Sequence, residues 1–220
     1  MRVLVACEFS GTVRDAFTAL GHDAWSCDIL PTESWGNHYQ GNIFDVVEEG
    51  WDLMIAFPPC TYLSHAGIGY FNEEKWGKKA VERKKLRDKA ATFFMNLYEE
   101  NFIPKIAIEN PVGYMNSFFR KPDQVIEPYF FGDSQKKRTC LWLKNLPKLV
   151  HRETATMFEP ATHCPRPLPE STQFRKPSKY YAGGEIKNRY FTDGKLRDAH
   201  LRSKTFPGIA RAMAEQWSNL

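Results

Sequence analysis

The opening residues impose the tightest limit on what this chain can fold into. Val3-Leu4-Val5-Ala6-Cys7 is apolar at every position instead of every second one. That describes a strand covered on both faces, and such strands belong to parallel sheets sandwiched between helices. Glu8-Phe9-Ser10-Gly11 follows with turn chemistry, and Val13, Ala16, Phe17 and Leu20 then recur at helical spacing. Ser10 or Thr12 is placed to cap this helix and Gly21 to end it. His22 to Asp28 reads as a second strand ending in an acid, which completes a βαβ opening.

The alternation continues along the chain. Gly41-Asn42-Ile43 closes a short third strand, and Asp52 to Phe57 is a fourth, stopped by Pro58-Pro59. Lys78 to Glu100 carries the longest helical period, and Lys105 to Glu109 is a fifth strand ended by Asn110-Pro111. Strands alternating with helices predict an open, mostly parallel α/β sheet. Val125 to Phe131 and Thr139 to Leu143 lie too close for a crossover helix, so they are expected to pair as an antiparallel hairpin at one edge. Pro207 opens a closing helix with Ile209, Met213, Gln216 and Trp217 on one face. A length of 220 residues fits one domain carrying a lobe and excludes two large domains.

The lobe is expected over 144–204, which holds six of the fourteen prolines and keeps no regular period. Phe174, Tyr180, Tyr181, Tyr190 and Phe191 interleave there with Arg175, Lys176, Lys179, Lys187 and Arg189. This suits bases stacked on aromatics with cations on phosphates, and it equally suits a small irregular lobe using aromatics as its core. The net charge of +4 is unevenly spread. Lys75 to Lys89 has eight basic residues against two acids, and 144–204 has thirteen against six, so the rest is acidic. Each basic stretch reads as a solvated face or as a surface for a polyanion.

No apolar run approaches the ~20 residues that cross a bilayer, and the start is too short for a signal peptide, so a cytoplasmic location is expected. Cys7, Cys27, Cys60, Cys140 and Cys164 are odd in number and contain no CxxC pair, which points to reduced thiols. His163-Cys164 has no second pair at ligand spacing, and no metal is expected.

Ligands of parallel α/β sheets sit at the carboxyl ends of the strands. Those ends are Glu8-Phe9-Ser10-Gly11, Asp28, Phe57-Pro58-Pro59-Cys60 and Glu109-Asn110-Pro111. The first, opening a helix, suits a cofactor group held by backbone amides, and Asp28 stands where an acid bonds ribose hydroxyls. Cys60, stiffened by two prolines, is a nucleophile or else a small buried hydrophobe. Glu109 ends the neighbouring strand and is placed to act on the same ligand, or is a solvated strand terminus.

Together, Phe9-Ser10-Gly11, Asp28, Pro58-Pro59-Cys60, Glu109-Asn110-Pro111-Val112-Gly113, Gln135-Lys136-Lys137-Arg138 and the closing helix fall in the order of the DNA (cytosine-5)-methyltransferase motifs. The chain resembles a compact, phage-type member of that family over Val3 to Leu143 and the last fifteen or so residues. The resemblance implies a Rossmann-like S-adenosylmethionine-dependent methyltransferase fold, with a catalytic domain over 1–143 and 205–220 and a nucleic-acid recognition lobe over 144–204. It implies Cys60 and Glu109 as catalytic residues. Glu8, Phe9, Ser10, Gly11, Asp28, Asn42 and Pro58 match cofactor positions, with Asn42 where the family usually has an acid. Pro59, Asn110, Gln135, Lys137 and Arg138 match substrate-binding positions, with Lys137 in place of an arginine. The implied cofactor is S-adenosyl-L-methionine and the implied partner is double-stranded DNA with its target cytosine flipped out. No membrane and no obligate protein partner are expected. Two other readings keep parts of this pattern: an enzyme modifying a free pyrimidine nucleotide with the same Cys60 and Glu109, and a DNA-binding protein on this fold without catalysis.

Overall fold

The structure, a computed structural model, describes residues 1–133, 135, 137–151 and 203–220. The interleaved aromatic and basic residues of 174–191 and His163-Cys164 lie outside the described residues.

Seven strands form one sheet: β1 (Arg2–Ala6), β2 (Asp23–Asp28), β3 (His38–Gln40), β4 (Leu53–Ala56), β5 (Lys105–Pro111), β6 (Gln124–Ile126) and β7 (Thr139–Lys144). Their order is β3-β2-β1-β4-β5-β7-β6. The first five run parallel, and β7 lies antiparallel between β5 and β6. This is a Rossmann-like sheet with an antiparallel edge. The helices are α1 (Thr12–Thr18), the short α2 (Glu73–Trp76), α3 (Lys78–Glu99), α4 (Met115–Phe118) and α5 (Pro207–Trp217).

The all-apolar runs have the expected cause. Val3, Val5, Leu53 and Ile55 pack on one side of the sheet with Phe17 of α1 and Ile209, Met213 and Trp217 of α5. Leu4, Ala6, Met54 and Ala56 pack on the other with Phe94 and Leu97 of α3 and Trp142 of β7. From β1 the chain winds outward to β3, then returns to place β4 on the opposite flank of β1. The gap between the carboxyl ends of β1 and β4 is therefore the switch point where such sheets bind ligands.

Several boundaries differ from the periodicity reading, each for a local reason. Cys7 leaves the strand at φ 58°. Gly11 occupies the N-cap of α1 in the left-handed region at φ 72°, and Leu20 lies beyond the helix, exposed. The apolar run 125–131 is a strand only to Ile126; Pro128, without an N–H for the ladder, opens a 3-10 turn over Pro128–Phe131. Asn110 and Pro111 extend β5 instead of ending it, opposite Cys140 and Thr139.

The closing helix is the keystone of one face. Seven of its residues are buried, Asp133 accepts from Gly208 N at 3.0 Å, and the indole of the fully buried Trp217 donates to Pro147 O at 3.1 Å. We expect Trp217→Ala to cost roughly 3–5 kcal/mol, from lost burial, the cavity and an orphaned carbonyl, read as a lower denaturant midpoint. A loss under about 1 kcal/mol would mean that α5 is not seated in the core as described.

Candidate active site

At the end of β1, Glu8 is buried and its carboxylate accepts from Val13 N at 2.7 Å and Arg14 N at 3.3 Å. Ser10 Oγ donates to it at 3.3 Å and accepts from Thr12 N at 3.3 Å. The helix start is thus held chiefly by Glu8, with Ser10 secondary, and the Glu8 carboxylate is committed to backbone. Burial pushes the Glu8 carboxyl up to about 7, against the pull of the two N–H groups and the Arg14 charge.

Arg14 is fully buried beneath this turn. Its guanidinium donates to Ser26 Oγ at 3.0 Å, Thr32 Oγ1 at 3.2 Å, Trp35 O at 3.0 Å and Ser34 Oγ, and pairs with Asp15 at 2.8 Å. One side chain therefore fastens α1, β2 and the loop after β2 together. Gly11 is required by this arrangement, because a Cβ there would run into the Arg14 guanidinium and Ser34 Oγ.

Phe9 is buried and its carbonyl accepts from Glu33 N at 2.9 Å. Asp28 is half-buried at the end of β2, with Oδ1 accepting from Leu30 N at 2.9 Å. Asn42 is exposed and accepts from Phe44 N at 3.1 Å, capping a 3-10 turn. Around these carboxyl ends Ile29 is 76% exposed, and Trp35 and Phe44 also face solvent. A carboxylate among uncovered apolar groups, one strand from the switch point, is a set that fits a nucleoside, whose diol and flat base need both. The residues present thus fit S-adenosylmethionine.

Across the gap, Phe57 N donates to Ala6 O at 2.9 Å. Pro58 is then buried, while Pro59 and Cys60 are exposed. Asn110 is buried: its Nδ2 donates to Pro58 O at 2.9 Å, while its Oδ1 has no hydrogen-bond partner. The loops after Cys60 and Glu109 are zipped by Tyr114 N to Leu63 O at 2.7 Å, His65 N to Val112 O at 3.3 Å and a bridge from Ser64 to Gly113. A Cβ on Gly113 would enter the Leu63 carbonyl, which explains a glycine there. Leu63 and Ser64 N–H groups both reach Cys60 O at 3.0 Å. Cys60 is accordingly presented on a fixed turn.

Glu109, half-buried, follows Ile108, whose β4 partner is Ala56. It opens on a shallow, solvent-open cleft walled by Phe57, Lys137, Thr139, Lys204 and Phe206. Burial raises the Glu109 carboxyl above the usual range, and the Lys137 charge opposes it. Cys60 and the cofactor turn do not line this cleft. Lys204 connects the two regions: it pairs with Glu33 and lies 6.0 Å from the Phe9 ring. Gln135 offers its carbonyl to Tyr129 N at 3.0 Å. Arg138 turns outward to Glu127 at 3.5 Å.

Thr139, 3% exposed, takes the cleft position beside Lys137, and its hydroxyl has no hydrogen-bond partner. Periodicity shows it only as the first residue of a strand. Lys204 and Phe206 were equally hidden, since only the return of α5 brings them to the cleft. Among the described residues, no cluster of His, Cys, Asp and Glu could hold a metal ion, and no helix is long and apolar enough to cross a membrane.

No family model matches the sequence, and no curated protein matches it. Among solved structures it is similar to a protein assigned as a DNA modification methyltransferase encoded within an E. coli prophage, with 14% identity, a TM-score of 0.45 and coverage of 75% of this chain and 52% of that one. It is also similar to a Spodoptera frugiperda DNMT2 mutant, with 16% identity, a TM-score of 0.44 and coverage of 74% and 57%. A third is the Entamoeba histolytica methyltransferase EhMeth, with 16% identity, a TM-score of 0.43 and coverage of 67% and 53%. The chain spans little more than half the length of these structures.

The Glu8 carboxyl has a sign that stability can read. Its folded value of about 7 lies above the ordinary 4.5, so the folded state holds more protons in that window. Stability is then fullest below pH 4.5 and is lost as pH rises through about 7. We expect Glu8→Gln, which keeps an acceptor for Val13 N, to remove roughly 1–3 kcal/mol of that fall. Urea titrations at several pH values check it, and parallel curves for the two proteins would refute it.

Proposed function

We propose that this protein methylates carbon 5 of cytosine in DNA, using S-adenosylmethionine and a covalent Cys60 intermediate. The observation that carries the reading is the joint presentation of Cys60 and Glu109 at the ends of adjacent strands, tied by the Asn110 to Pro58 bond. Cys60, after β4, borders the switch point, whose other side fits a nucleoside cofactor.

Carbon 5 of cytosine is too weak a nucleophile to take a methyl group directly, so the ring requires covalent activation. The Cys60 thiolate bonds to carbon 6 while Glu109, whose carboxyl burial shifts toward the neutral form, donates a proton to ring nitrogen 3 and draws the electron pair toward it. Carbon 5 becomes nucleophilic. The Phe9-Ser10-Gly11 turn and Asp28 would hold S-adenosylmethionine, whose sulfonium would supply the methyl group and leave as the neutral thioether S-adenosylhomocysteine. A base then takes the carbon-5 proton, the freed electron pair restores the ring's 5,6 double bond as the thiolate leaves carbon 6, and ring nitrogen 3 returns its proton to Glu109. Lys137 moderates the Glu109 proton affinity from the cleft wall, and the Thr139 hydroxyl offers a hydrogen bond to the base. Residues 1–143 and 205–220 make the catalytic unit in this reading, and 144–204 make a recognition lobe.

The test is intact mass after incubation with S-adenosylmethionine and a duplex containing 5-fluorocytosine, whose fluorine blocks release. We expect an adduct carrying the DNA, absent in Cys60→Ser, and formed roughly 10²–10⁴-fold more slowly by Glu109→Gln. The rate should fall with rising pH at a value above that of an ordinary glutamate. An adduct with a fluorinated nucleotide but none with duplex would move the substrate to free nucleotides. No adduct with either would overturn the enzyme reading.

A further inference from the structure

We infer that His65 is the base that takes the carbon-5 proton from the methylated ring. The inference rests on the cytosine chemistry proposed above and names the group that its last step requires.

That step fixes where the base must sit. A methyl group entering carbon 5 from one face of the ring makes that carbon tetrahedral and turns its hydrogen toward the opposite face. The cofactor fit lies at the ends of β1 and β2, so the hydrogen turns toward the loops that follow β4 and β5. Other groups able to hold a proton around the crevice are elsewhere or engaged. Glu8 is committed to the α1 backbone, and Asp28 lies on the cofactor side. Glu109 serves ring nitrogen 3, and Lys137 and Lys204 bring positive charge to its cleft.

Histidine is the side chain best suited to proton exchange near neutral pH. His22 bonds the amino terminus at 3.3 Å, and His38 is bonded through both ring nitrogens, to Ser26 Oγ at 2.8 Å and Leu30 O at 3.0 Å. His151 is 4% exposed and stacks on Phe130. His65 is exposed, and its imidazole forms no hydrogen bond or ion pair among the described residues.

Its backbone is held where that imidazole is needed. Cys60 O accepts from both Leu63 N and Ser64 N, so the chain folds back and brings residue 65 to within one turn of Cys60. His65 N donates to Val112 O at 3.3 Å, in the loop that follows Glu109, and Ser64 bridges Gly113. On the other flank Arg83 Nη2 donates to Thr61 O at 3.2 Å, and a Cβ on Gly67 would meet the Arg83 guanidinium. The loop is thus fixed on both sides, and His65 opens its 3-10 turn, His65–Phe71, beside the Glu109 loop. As the imidazole takes the proton, the carbon–hydrogen electron pair becomes the 5,6 double bond and the carbon 6–sulfur bond breaks to return the thiolate. Exposure lets the imidazolium pass its proton to water once product leaves.

The experiment follows single turnovers of an ordinary cytosine duplex with S-adenosylmethionine, quenched in denaturant and read by intact mass. Beside it runs the 5-fluorocytosine duplex, which has no carbon-5 proton to remove. If the inference holds, His65→Gln releases methylated product roughly 10²–10⁴-fold more slowly and accumulates a covalent adduct that already carries the methyl group. The same variant forms the fluorocytosine adduct at close to the wild-type rate, and His65→Ala regains turnover when free imidazole is added. Product release by His65→Gln at the wild-type rate overturns the assignment, gives the proton to solvent and leaves the proposed function standing. Equal slowing of the fluorocytosine adduct and of product release overturns it as well, since His65 then only shapes the Cys60 loop. A wild-type protein that forms no fluorocytosine adduct overturns the proposed function and this assignment together.

Discussion

Strands β1 and β4 have no solvent face, and the rest of the molecule follows from covering them. Val3, Val5, Leu53 and Ile55 require α1 and α5 on one side, while Leu4, Ala6, Met54 and Ala56 require α3 on the other. Burying a large aliphatic side chain gives about 1.5–3 kcal/mol, so no arrangement leaving either face wet competes. Helices on both faces with right-handed crossovers then force the chain to reverse direction somewhere across the sheet. The reversal falls between β1 and β4, and the same constraint that builds the core thus opens the crevice at their carboxyl ends.

That crevice is edged by two devices of different character. On the β1 side, buried charge does the fastening: Arg14 reaches three elements at once and Glu8 closes the helix start. Such groups tolerate burial because nearly every donor is met, and losing one partner would leave charge stranded. On the β4 side, neutral backbone bonds do the work, zipping the Cys60 loop to the Glu109 loop through Leu63, Val112 and Tyr114. In the proposed reaction, a thiol on a turn of this kind is held in place before substrate arrives, which lowers the ordering cost of each encounter.

One of the buried unsatisfied groups lies on the Glu109 side. Thr139 Oγ1 is buried without a partner on the wall of the Glu109 cleft. A hydroxyl left unbonded in the interior costs about 1–3 kcal/mol, a cost that a ligand hydrogen bond would remove. The raised Glu109 carboxyl points the same way, since burial favours the neutral, proton-donating form.

Much of this was legible in the chain itself. The apolar runs of β1, β4 and β5 marked buried parallel strands and their two-sided cover, the short spacing between 125–131 and 139–143 marked an antiparallel edge, and Pro58-Pro59-Cys60 with Glu109-Asn110 marked candidate strand-end positions, because periodicity and proline act locally; the third strand, expected to close at Gly41-Asn42-Ile43, lies at His38–Gln40. The tertiary structure alone decided what the polar side chains do there. Asn110 is a tether to Pro58, Arg138 turns to Glu127, Glu8 caps α1, and Thr139, Lys204 and Phe206 join Glu109 around a cleft. A side chain's partner depends on which distant backbone atom arrives beside it, and residues 95 positions apart, such as Glu109 and Lys204, meet only after the sheet has formed and α5 has closed over it.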